Sequence, residues 1–317
     1  MRYVVTGGAG FIGSNIVDYL INQGNQVLVY DNFSTGRKIF IQHHLKNPNF
    51  RLVKNDLKNK QLVVNSFKNI DFVFHLAAHA DVRSGFEDHF IDHRQNLEIT
   101  HNVLEAMYKN NIKNIAFSST SSVYGDAKIH PTPEDYPFKP TSLYGATKAA
   151  CESYIHTYAS YYKMNSYIFR FVSIIGERYT HGIIFDLIKK ARINSKSLKL
   201  ISDGSPKKSS IYIQDAINAI FTVINKSREQ FNIYNIGQNE VLTVKEIANI
   251  IFNFAGYPNI KKVWLGKESN WKGDNEFVHL ATTKLNKLGW KPQIQMEVGI
   301  KKTVIYLLNH PELYSRF

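Results

Sequence analysis

Short apolar runs alternate with longer helical segments through the first 171 residues. An apolar run bounded by turn residues predicts a buried strand, and a longer periodic segment predicts a helix. The predicted strands are Met1–Thr6, Gln26–Tyr30, Phe50–Lys54, Asp71–Ala78, Ile115–Phe117 and Ser166–Phe171. The predicted helices are Ser14–Leu20, Gln95–Asn110 and Tyr144–Tyr162. This alternation predicts an α/β fold with a doubly wound parallel sheet.

The pattern changes near residues 171–176, where segments become shorter, more basic and interrupted by glycine. The later predicted elements are a strand and helix over Ile211–Lys226, a strand over Phe231–Ile236 and an amphipathic helix over Thr243–Ala255. We therefore expect two domains. The first is a dinucleotide-binding domain at 1–175 with a return segment near 210–237, and the second is a smaller C-terminal α/β substrate lobe at 176–317.

Composition indicates a globular chain of 317 residues, with 44% hydrophobic and 21% charged residues. No apolar run approaches the roughly 18 residues of a membrane span, and glycines interrupt the first residues too early for a signal peptide. Cys151 is the single cysteine, which excludes an intrachain disulfide and fits a reducing compartment. Its position three residues after Lys148 predicts a buried apolar residue. We expect a cytoplasmic protein with no membrane partner.

The formal net charge of +13 raises the possibility of nucleic-acid binding. However, the lysines are scattered, and no compact basic block with interleaved aromatic residues occurs. We expect no nucleic-acid partner, and the same charge suits a small anionic substrate.

Twelve histidines raise the possibility of a metal site. His75 and His79 are four residues apart, as are His89 and His93. No glutamate completes an H-E-x-x-H pattern with either pair, so we expect no metal.

A glycine-rich turn follows the first predicted strand. Gly7, Gly10 and Gly13 give the spacing G-x-x-G-x-x-G immediately before a predicted helix. The first glycine permits the tight turn, the second lets the backbone approach a pyrophosphate, and the third lets helix and strand pack closely. The turn therefore predicts a Rossmann-type dinucleotide site.

Acidic residues follow the next two predicted strands. Asp31 follows the second strand, where its carboxylate can accept hydrogen bonds from the adenosine ribose and repel a 2′-phosphate. Asp56 follows the third strand, where it could meet the adenine amino group. Asp31 favours NAD over NADP, although Arg37 and Lys38 leave NADP open.

A tyrosine and a lysine four residues apart begin the predicted helix Tyr144–Tyr162. Tyr144 and Lys148 would share one helix face, although this spacing also arises by chance in a chain with 18 tyrosines. A lysine ammonium beside a phenol lowers the pKa of the phenol from about 10 towards the range of a general base. Thr120 follows the fifth strand, at the sheet edge where ligands bind. We expect these three residues to form a catalytic group.

The combination resembles the extended short-chain dehydrogenase/reductase family, and within it the nucleotide-sugar epimerases of the UDP-glucose 4-epimerase type. The markers span nearly the whole chain and are Thr6–Gly13, Asp31–Gly36, His75–Ala78, Ser118–Thr120, Tyr144, Lys148, Asp203–Ser205 and Leu288–Trp290. The resemblance implies that NAD takes hydride from the sugar C4 while Tyr144 takes the hydroxyl proton. Lys148 would hold the nicotinamide ribose and Thr120 the sugar oxygen. Hydride then returns to the other face of a 4-keto sugar.

The resemblance also implies the binding residues. The cofactor contacts are Gly7, Gly10, Phe11, Ile12, Gly13, Asp31, Asn32, Ser34, Thr35, Gly36, Asp56, Leu57, Leu76, Ala77, Ala78, Asn96, Ser118, Tyr144, Lys148 and Phe171. The contacts to a nucleotide-diphosphate sugar are Thr120, Ser173, Lys207, Lys208 and Asp274. A homodimer formed through the helices Gln95–Asn110 and Tyr144–Tyr162 is implied as well.

Two serines help to select the reaction. The dehydratase branch of the family has aspartate and glutamate after the catalytic threonine, whereas this chain has Ser121 and Ser122. The decarboxylases have glutamate at the position of Ser122. The two serines therefore favour C4 epimerisation over dehydration and decarboxylation.

Other departures leave the substrate open. Ser173 stands where the family often has asparagine, and Lys207 and Lys208 stand where an arginine usually holds the diphosphate. Lys272, before Gly273–Asp274, also replaces an arginine. Lysine binds phosphate without the bidentate fork of arginine, and ordinary surface charge explains these lysines equally well. UDP is favoured by resemblance alone.

Three alternatives stay open. A nucleotide-sugar reductase or dehydrogenase would change the cofactor stoichiometrically. A non-catalytic dinucleotide sensor would have no use for the set of Thr120, Tyr144 and Lys148. A nucleic-acid binder would retain a duplex or single strand at about physiological salt.

Overall fold

The structure, a computed structural model, describes residues 1–266 and 277–314. The strands are β1 (Arg2–Thr6), β2 (Gln26–Asp31), β3 (Phe50–Lys54), β4 (Phe72–His75), β5 (Asn114–Thr120), β6 (Asn165–Phe171), β7 (Ser173–Ile175), β8 (Ser197–Leu200), β9 (Lys207–Lys208), β10 (Ser210–Tyr212), β11 (Phe231–Ile236), β12 (Leu242–Thr243), β13 (Lys261–Trp264) and β14 (Phe277–Val278). The helices are α1 (Phe11–Asn22), α2 (Lys60–Ser66), α3 (Ile99–Lys109), α4 (Leu143–Tyr162), α5 (Ile183–Ile193), α6 (Ile213–Lys226), α7 (Val244–Phe254), α8 (Thr283–Asn286) and α9 (Met296–Asn309).

The chain divides into two compact units. Unit 1 consists of Met1–Ala127, Glu134–Phe171 and Ile220–Asn235. Unit 2 consists of Lys128–Pro133, Val172–Ala219 and the described part of Ile236–Phe317. Neither unit is one continuous stretch of chain, and the residues of α6 are shared between the two.

Unit 1 is built on a seven-stranded parallel sheet in the order β11-β6-β5-β4-β1-β2-β3. The order runs outward in both directions from β1 and β4, which pair in register from Tyr3 with Phe72 to Thr6 with His75. Strand order reverses at this point, and ligands of such sheets bind beyond the carboxyl ends of the strands. The predicted Rossmann-type doubly wound sheet is confirmed.

Apolar side chains cover both faces of this sheet because alternate strand residues point to opposite sides. On one face, buried strand residues such as Val4, Val73 and Ile115 join a core with residues of α2, α3 and α4. On the other face, Phe74 of β4 lies 5.7 Å from Phe221 of α6, measured between ring centroids. Tyr19 of α1 stacks on the same Phe221 ring at 3.9 Å.

Several predicted elements have different limits in the structure, among them the fourth strand and the helix predicted at Gln95–Asn110. The fourth strand ends at His75 rather than Ala78, because the hydroxyl of Thr6 accepts the backbone N–H groups of Leu76 and Ala77 at 3.2 and 3.3 Å. The predicted helix Gln95–Asn110 begins as a π-helical turn at His93–Glu98 and continues as α3. Both departures lie beside the candidate site.

Unit 2 contains small sheets and helices. In these sheets β7 pairs with β10, β8 pairs with β13, and β9 lies between β12 and β14. Among the described residues of the whole chain, no helix combines the length and apolar character that crossing a membrane requires.

Candidate active site

The glycine turn fixes α1 against the end of β1. Gly7 has a φ of +68°, and a Cβ there would lie 2.8 Å from the backbone nitrogen of Ala77. A Cβ on Gly13 would lie 2.2 Å from the carbonyl oxygen of Gly7. Gly10 caps α1 without a side-chain hydrogen bond, and no acidic residue lies in the first turn. The positive end of the helix dipole is therefore left to attract an anion.

Asp31 is held rigidly at the end of β2. Its side chain is 7% exposed, and its two oxygens accept the backbone N–H groups of Ala9 at 2.9 Å and Phe33 at 2.8 Å. Burial raises the pKa of this carboxyl, against the lowering effect of both hydrogen bonds. A Cβ on Gly36 would approach one of its oxygens to 2.8 Å. Each oxygen keeps a further lone pair, as recognition of two ribose hydroxyls requires.

The neighbouring polar residues surround Asp31. Asn32 donates its amide to Asp56 at 3.1 Å and accepts the N–H of Ser34 at 2.9 Å. Arg37, which left NADP open, is 8% exposed and its backbone N–H donates to the carbonyl of Ala9 at 2.8 Å. The turn after β2 is therefore packed onto the glycine turn after β1.

A buried histidine lies at the switch point of the sheet. The ring of His75 hydrogen-bonds the hydroxyls of Thr6 at 2.8 Å and Thr100 at 2.9 Å. Burial, with a smaller contribution from the charge of Lys148, lowers the pKa of His75 to about 3. His75 is thus a neutral imidazole that ties β4 to β1 and α3.

The side chain of Asn96, which the resemblance places at the cofactor, forms hydrogen bonds with other residues of the protein. Its side-chain oxygen accepts the N–H of His79 at 2.8 Å, and its amide donates to Asp92 at 3.3 Å and Thr147 at 3.2 Å. These contacts join the π-helical turn to α4. They hold the Asn96 side chain in place.

Asp92 is a site residue that sequence reasoning missed. It is fully buried, and one of its oxygens contacts the ring of His79 at 3.1 Å. Its other oxygen has no hydrogen-bond partner among the described residues. Its negative charge raises the pKa of Tyr144. No motif marks Asp92, because only the fold brings it near that phenol.

Helix α4 contacts three consecutive residues at the carboxyl end of β5. Tyr144 hydrogen-bonds the side chain of Thr120, and the ammonium of Lys148 donates to the carbonyl of Ser118 at 2.7 Å. One turn further along, Glu152 accepts a hydrogen bond from the hydroxyl of Ser119. Tyr144, Lys148 and Glu152 contact Thr120, Ser118 and Ser119, respectively. Residues four apart on one helix face thus hold one strand end.

The expectation that Lys148 lowers the pKa of Tyr144 is wrong for the protein alone. Burial is the main influence, and it raises the pKa of the Tyr144 phenol to about 12 in spite of the hydrogen bond with Thr120. Burial also lowers the pKa of the Lys148 ammonium to about 8. The ammonium lies over the ring of Phe117 at 4.4 Å and donates to Ser118, so its contacts are with β5.

Thr120 is fixed by the serine that distinguishes this chain. Its hydroxyl donates to the hydroxyl of Ser122 at 3.1 Å and accepts the N–H of Ser122 at 3.1 Å. Thr120 itself is 9% exposed. Ser122 therefore orients Thr120 through a neutral hydroxyl.

Most predicted cofactor residues lie at one edge of the unit 1 sheet. The turns and strand ends at this edge contain Gly7, Gly10, Phe11, Ile12 and Gly13 after β1; Asp31, Asn32, Ser34, Thr35 and Gly36 after β2; Asp56 and Leu57 after β3; Leu76, Ala77 and Ala78 after β4; Ser118 and Thr120 on β5; and Phe171 on β6. Tyr144 and Lys148 reach the same edge through their contacts with β5. The carboxyl ends of parallel strands meet at one edge, which explains the grouping.

The predicted substrate residues outside unit 1 lie on short strands of unit 2. Ser173 is exposed and pairs with Ser210 between β7 and β10. Lys207 and Lys208 form β9, and successive residues of a strand point to opposite faces. Only one of these two lysines can therefore face a given ligand. Asp274 and Lys272 lie outside the described residues.

Two histidines beside Asp18 form the group of possible metal ligands found in the described residues. The ligand atoms of Asp18, His43 and His44 lie within 4.8 Å of one another. Both imidazoles contact the same oxygen of Asp18, at 2.9 and 2.7 Å, so hydrogen bonds account for their convergence. Of the predicted pairs, His79 contacts Asp92 and His75 is enclosed by threonines.

Comparison with known proteins identifies the family. Residues 3–237 match the sequence model of the NAD dependent epimerase/dehydratase family. The chain belongs to this family. A putative UDP-glucose 4-epimerase of Methanocaldococcus jannaschii is 34% identical over 313 residues, which cover 97% of this chain and 98% of the relative. The predicted resemblance is confirmed.

Solved structures of the epimerase/dehydratase family share the whole fold. A UDP-galactose 4-epimerase has 37% identity and a TM-score of 0.87, with 98% of this chain and 99% of that chain covered. A UDP-glucose 4-epimerase of Thermus thermophilus, solved in complex with NAD, has 30% identity and a TM-score of 0.85 over 97% and 99% of the two chains.

The family also contains enzymes with other reactions. A UDP-glucuronic acid decarboxylase of Danio rerio is 28% identical, over 96% of this chain and 72% of the relative. A dTDP-D-glucose 4,6-dehydratase of Mus musculus is also 28% identical, over 96% and 87%. Membership therefore establishes an enzyme of the epimerase/dehydratase family and leaves its reaction to be argued from the site.

NAD is the cofactor of this family, as predicted, and the residues of this chain fit it. The glycine turn leaves no room for a Cβ at Gly7 or Gly13, and α1 presents an uncapped N-terminus to an anion. The rigid carboxylate of Asp31 suits the adenosine ribose. These three features belong to neighbouring strand ends of one sheet.

Proposed function

We propose that this enzyme is an NAD-dependent nucleotide-sugar 4-epimerase that inverts C4 of a hexose, with UDP as the favoured nucleotide. The observation that carries the proposal is the hydrogen-bonded group of Thr120, Tyr144 and Ser122 at the end of β5. It combines a phenol for proton transfer with neutral hydroxyls at the positions after Thr120. The epimerases among the similar proteins support the same reaction.

In this proposal Tyr144 takes the proton of the sugar C4 hydroxyl and later returns it. Thr120 hydrogen-bonds the same oxygen and Lys148 holds the nicotinamide ribose. When bound, NAD accepts and returns the C4 hydride, and its cationic ring lowers the pKa of a neighbouring phenol. The sugar passes through a 4-keto form, and catalysis depends on holding the reacting groups in register.

Ser121 and Ser122 argue against elimination of water. Elimination requires a general acid and a general base near the keto sugar, and serine hydroxyls do not ionise in the working range. Ser122 is instead used to orient Thr120. A 4-keto sugar formed here therefore has no carboxylate at these positions to drive it towards dehydration.

Unit 2 is the proposed nucleotide-sugar lobe. Ser173 and one of the two lysines Lys207 and Lys208 are its proposed contacts, with Asp274 retained from the resemblance. An ammonium supplies a point charge for a diphosphate.

The experiment is incubation of the purified enzyme with a panel of UDP-, dTDP-, GDP- and CDP-sugars, followed by chromatographic separation of C4 epimers. We expect conversion of at least one UDP-hexose to its C4 epimer, with no net absorbance change at about 340 nm because the cofactor is regenerated. A stoichiometric absorbance change would instead identify a reductase or dehydrogenase. A 4-keto-6-deoxy product would identify a dehydratase, and either result would contradict the proposal.

A homodimer is also proposed, as the resemblance implies. A tyrosine surface formed by Tyr108 of α3 and Tyr154, Tyr158, Tyr161 and Tyr162 of α4 covers one side of unit 1. Tyr108, Tyr154 and Tyr161 are 50%, 43% and 73% exposed. Tyrosine is enriched in protein interfaces, so this surface suits a second copy of the chain.

A further inference from the structure

A buried ion pair lies behind the proposed catalytic residues. The side chains of Glu152 on α4 and Arg170 on β6 are each 3% exposed. The guanidinium makes three hydrogen bonds to the carboxylate, with donor–acceptor distances of 3.0, 3.1 and 2.6 Å. Neither residue belongs to the predicted site, and each is far from the other in sequence.

The pair is connected to its surroundings at both ends. Glu152 also accepts the hydroxyl of Ser119 on β5. Arg170 also donates to the hydroxyl of Tyr124 at 2.8 Å and the carbonyl of Glu134 at 2.7 Å. The ion pair therefore joins α4 to two adjacent strands and to the segment that follows β5.

The position of Glu152 on α4 relates it to the reacting groups. Tyr144, Lys148 and Glu152 are spaced by four residues and lie on one helix face. Their partners are the three consecutive residues that end β5. Ser119, which Glu152 holds, lies between Ser118 and Thr120 on β5. A shift of this contact would therefore also move the contacts that Lys148 and Tyr144 make with those two residues.

Glu152 also affects the charge of Lys148. Burial lowers the pKa of Lys148 to about 8, while Cys151 and Glu152 oppose this effect. Burial raises the pKa of the Cys151 thiol, so Cys151 is uncharged near neutral pH. The carboxylate of Glu152 then supplies the permanent negative charge that favours the Lys148 ammonium.

Stability alone does not explain such a pair. Replacing a buried ion pair by well-packed apolar residues is often neutral or stabilising, since the desolvation of both ions offsets their attraction. A requirement for a fixed geometry or a fixed charge is a better explanation here.

We propose that Glu152 and Arg170 are positioning residues for Tyr144 and Lys148. The ion pair fixes α4 on the end of β5, and Glu152 keeps Lys148 in its ammonium form while Arg170 limits the strength of that effect. The part of this inference that concerns turnover rests on the proposed epimerase function.

The test compares Glu152→Gln with Arg170→Gln. Loss of the carboxylate should lower the pKa of Lys148 by about one unit, and loss of the guanidinium should raise it by about one unit. Lysine side chains labelled with 13C report this titration by NMR between about pH 6 and pH 10, and the resonance missing from Lys148→Met assigns the signal. Asp71→Asn, which removes an exposed carboxylate from an ion pair of the same unit, should leave the titration unchanged.

The direction of the two shifts separates positioning from simple support of the fold. Both variants break the same ion pair, so a purely structural role predicts equal loss of stability with no opposite movement of the Lys148 titration. Shifts in the same direction, or no shift in either variant, would overturn the inference. If one of the two single variants fails to fold, the other decides alone: Glu152→Gln should lower and Arg170→Gln should raise the pKa of Lys148, and no shift, or a shift in the opposite direction, overturns the inference.

Turnover supplies a second readout. In Glu152→Gln the pH at which kcat begins to fall on the alkaline side should be lower by about one unit. Above that pH, kcat should fall about tenfold for each further pH unit. The KM for the nucleotide sugar should be unchanged. If no sugar of the panel is epimerised, the proposed function fails while the NMR titration still decides the charge effect. If epimerisation occurs but the alkaline limb of kcat does not shift with the pKa of Lys148, the inference fails and the proposed function stands.

Discussion

The phenol of Tyr144 is protonated near neutral pH in the protein alone, because burial raises its pKa to about 12. Asp92 adds to this effect, and the hydrogen bond with Thr120 opposes it. A base role for Tyr144 therefore requires positive charge to be brought beside it. The proposed mechanism meets this requirement only when oxidised NAD is bound, which links proton transfer to the presence of the cofactor.

Replacement of Tyr144 by phenylalanine removes the hydroxyl and keeps the ring. We expect kcat to fall by about 10²–10⁴, the usual contribution of a general acid–base group, with NAD still bound. Epimerisation rates and the NAD released on denaturation measure the two effects. Tyr19→Phe, which removes a phenol on the opposite face of the sheet, should keep full activity. A fully active Tyr144→Phe would contradict the assignment.

His75 should make stability sensitive to acid. Its pKa is about 3 in the folded protein and 6.5 in a model compound, so the unfolded chain binds more protons below pH 6.5. Stability from this group is complete above pH 6.5 and is lost as the pH falls towards 3. At pH 5 the loss is about 2 kcal/mol, since each pKa unit corresponds to about 1.4 kcal/mol.

The variant His75→Gln tests this linkage. The difference in unfolding free energy between pH 7.5 and pH 5 should shrink by about 2 kcal/mol relative to the natural protein. Urea titrations at both pH values measure it, and His89→Gln removes an exposed imidazole as a control. An undiminished difference in His75→Gln would show that another group causes the acid sensitivity.

At the scale of elements, α1 packs so closely on the end of β1 that adding one methyl group at Gly13 should push the two elements apart. Gly13→Ala would place a Cβ 2.2 Å from the carbonyl oxygen of Gly7. We expect a loss of about 3 kcal/mol in stability, at the upper end of overpacking effects, and at least tenfold weaker NAD binding. Asn22→Ala, at the exposed end of the same helix, should change stability by less than about 0.5 kcal/mol. Thermal unfolding and calorimetric titration with NAD measure both quantities.

The elements that local pattern defines could be predicted from the sequence. The strand at Phe50–Lys54 has its predicted limits, and the helix predicted at Ser14–Leu20 was found slightly longer, as Phe11–Asn22. The glycine turn and Asp31 could be read because their spacing reflects a backbone requirement that is local. Cys151 is buried, as predicted.

Contacts between distant residues could not be predicted in this way. Asp92 near Tyr144, and Glu152 paired with Arg170, depend on how α4 and its neighbours pack, and no local pattern encodes that packing. The same limitation explains the error about Lys148. The spacing from Tyr144 places both residues on one face, but only the position of β5 decides that the ammonium contacts Ser118.

At the scale of the whole molecule, the tyrosine surface should decide the oligomeric state. We expect light scattering to give about twice the 36.4 kDa chain mass. The double variant Tyr154→Glu/Tyr161→Glu should give the mass of one chain, because buried carboxylates without partners oppose association. Ile193→Glu changes an 80% exposed apolar residue of unit 2 and should keep the dimer. A natural protein with the mass of one chain would contradict the proposed homodimer.

The late position of β11 in the sequence affects the folding of the sheet during synthesis of the chain. Strand β6 ends at Phe171, but β11, which pairs with its open side, begins only at Phe231, about 60 residues later. At about 5–20 residues per second, translation of the intervening chain takes roughly 3–12 s. During that time β6 exposes unpaired backbone groups, which are a template for association with other chains. The nascent protein should therefore depend most on chaperones in the seconds before β11 leaves the ribosome.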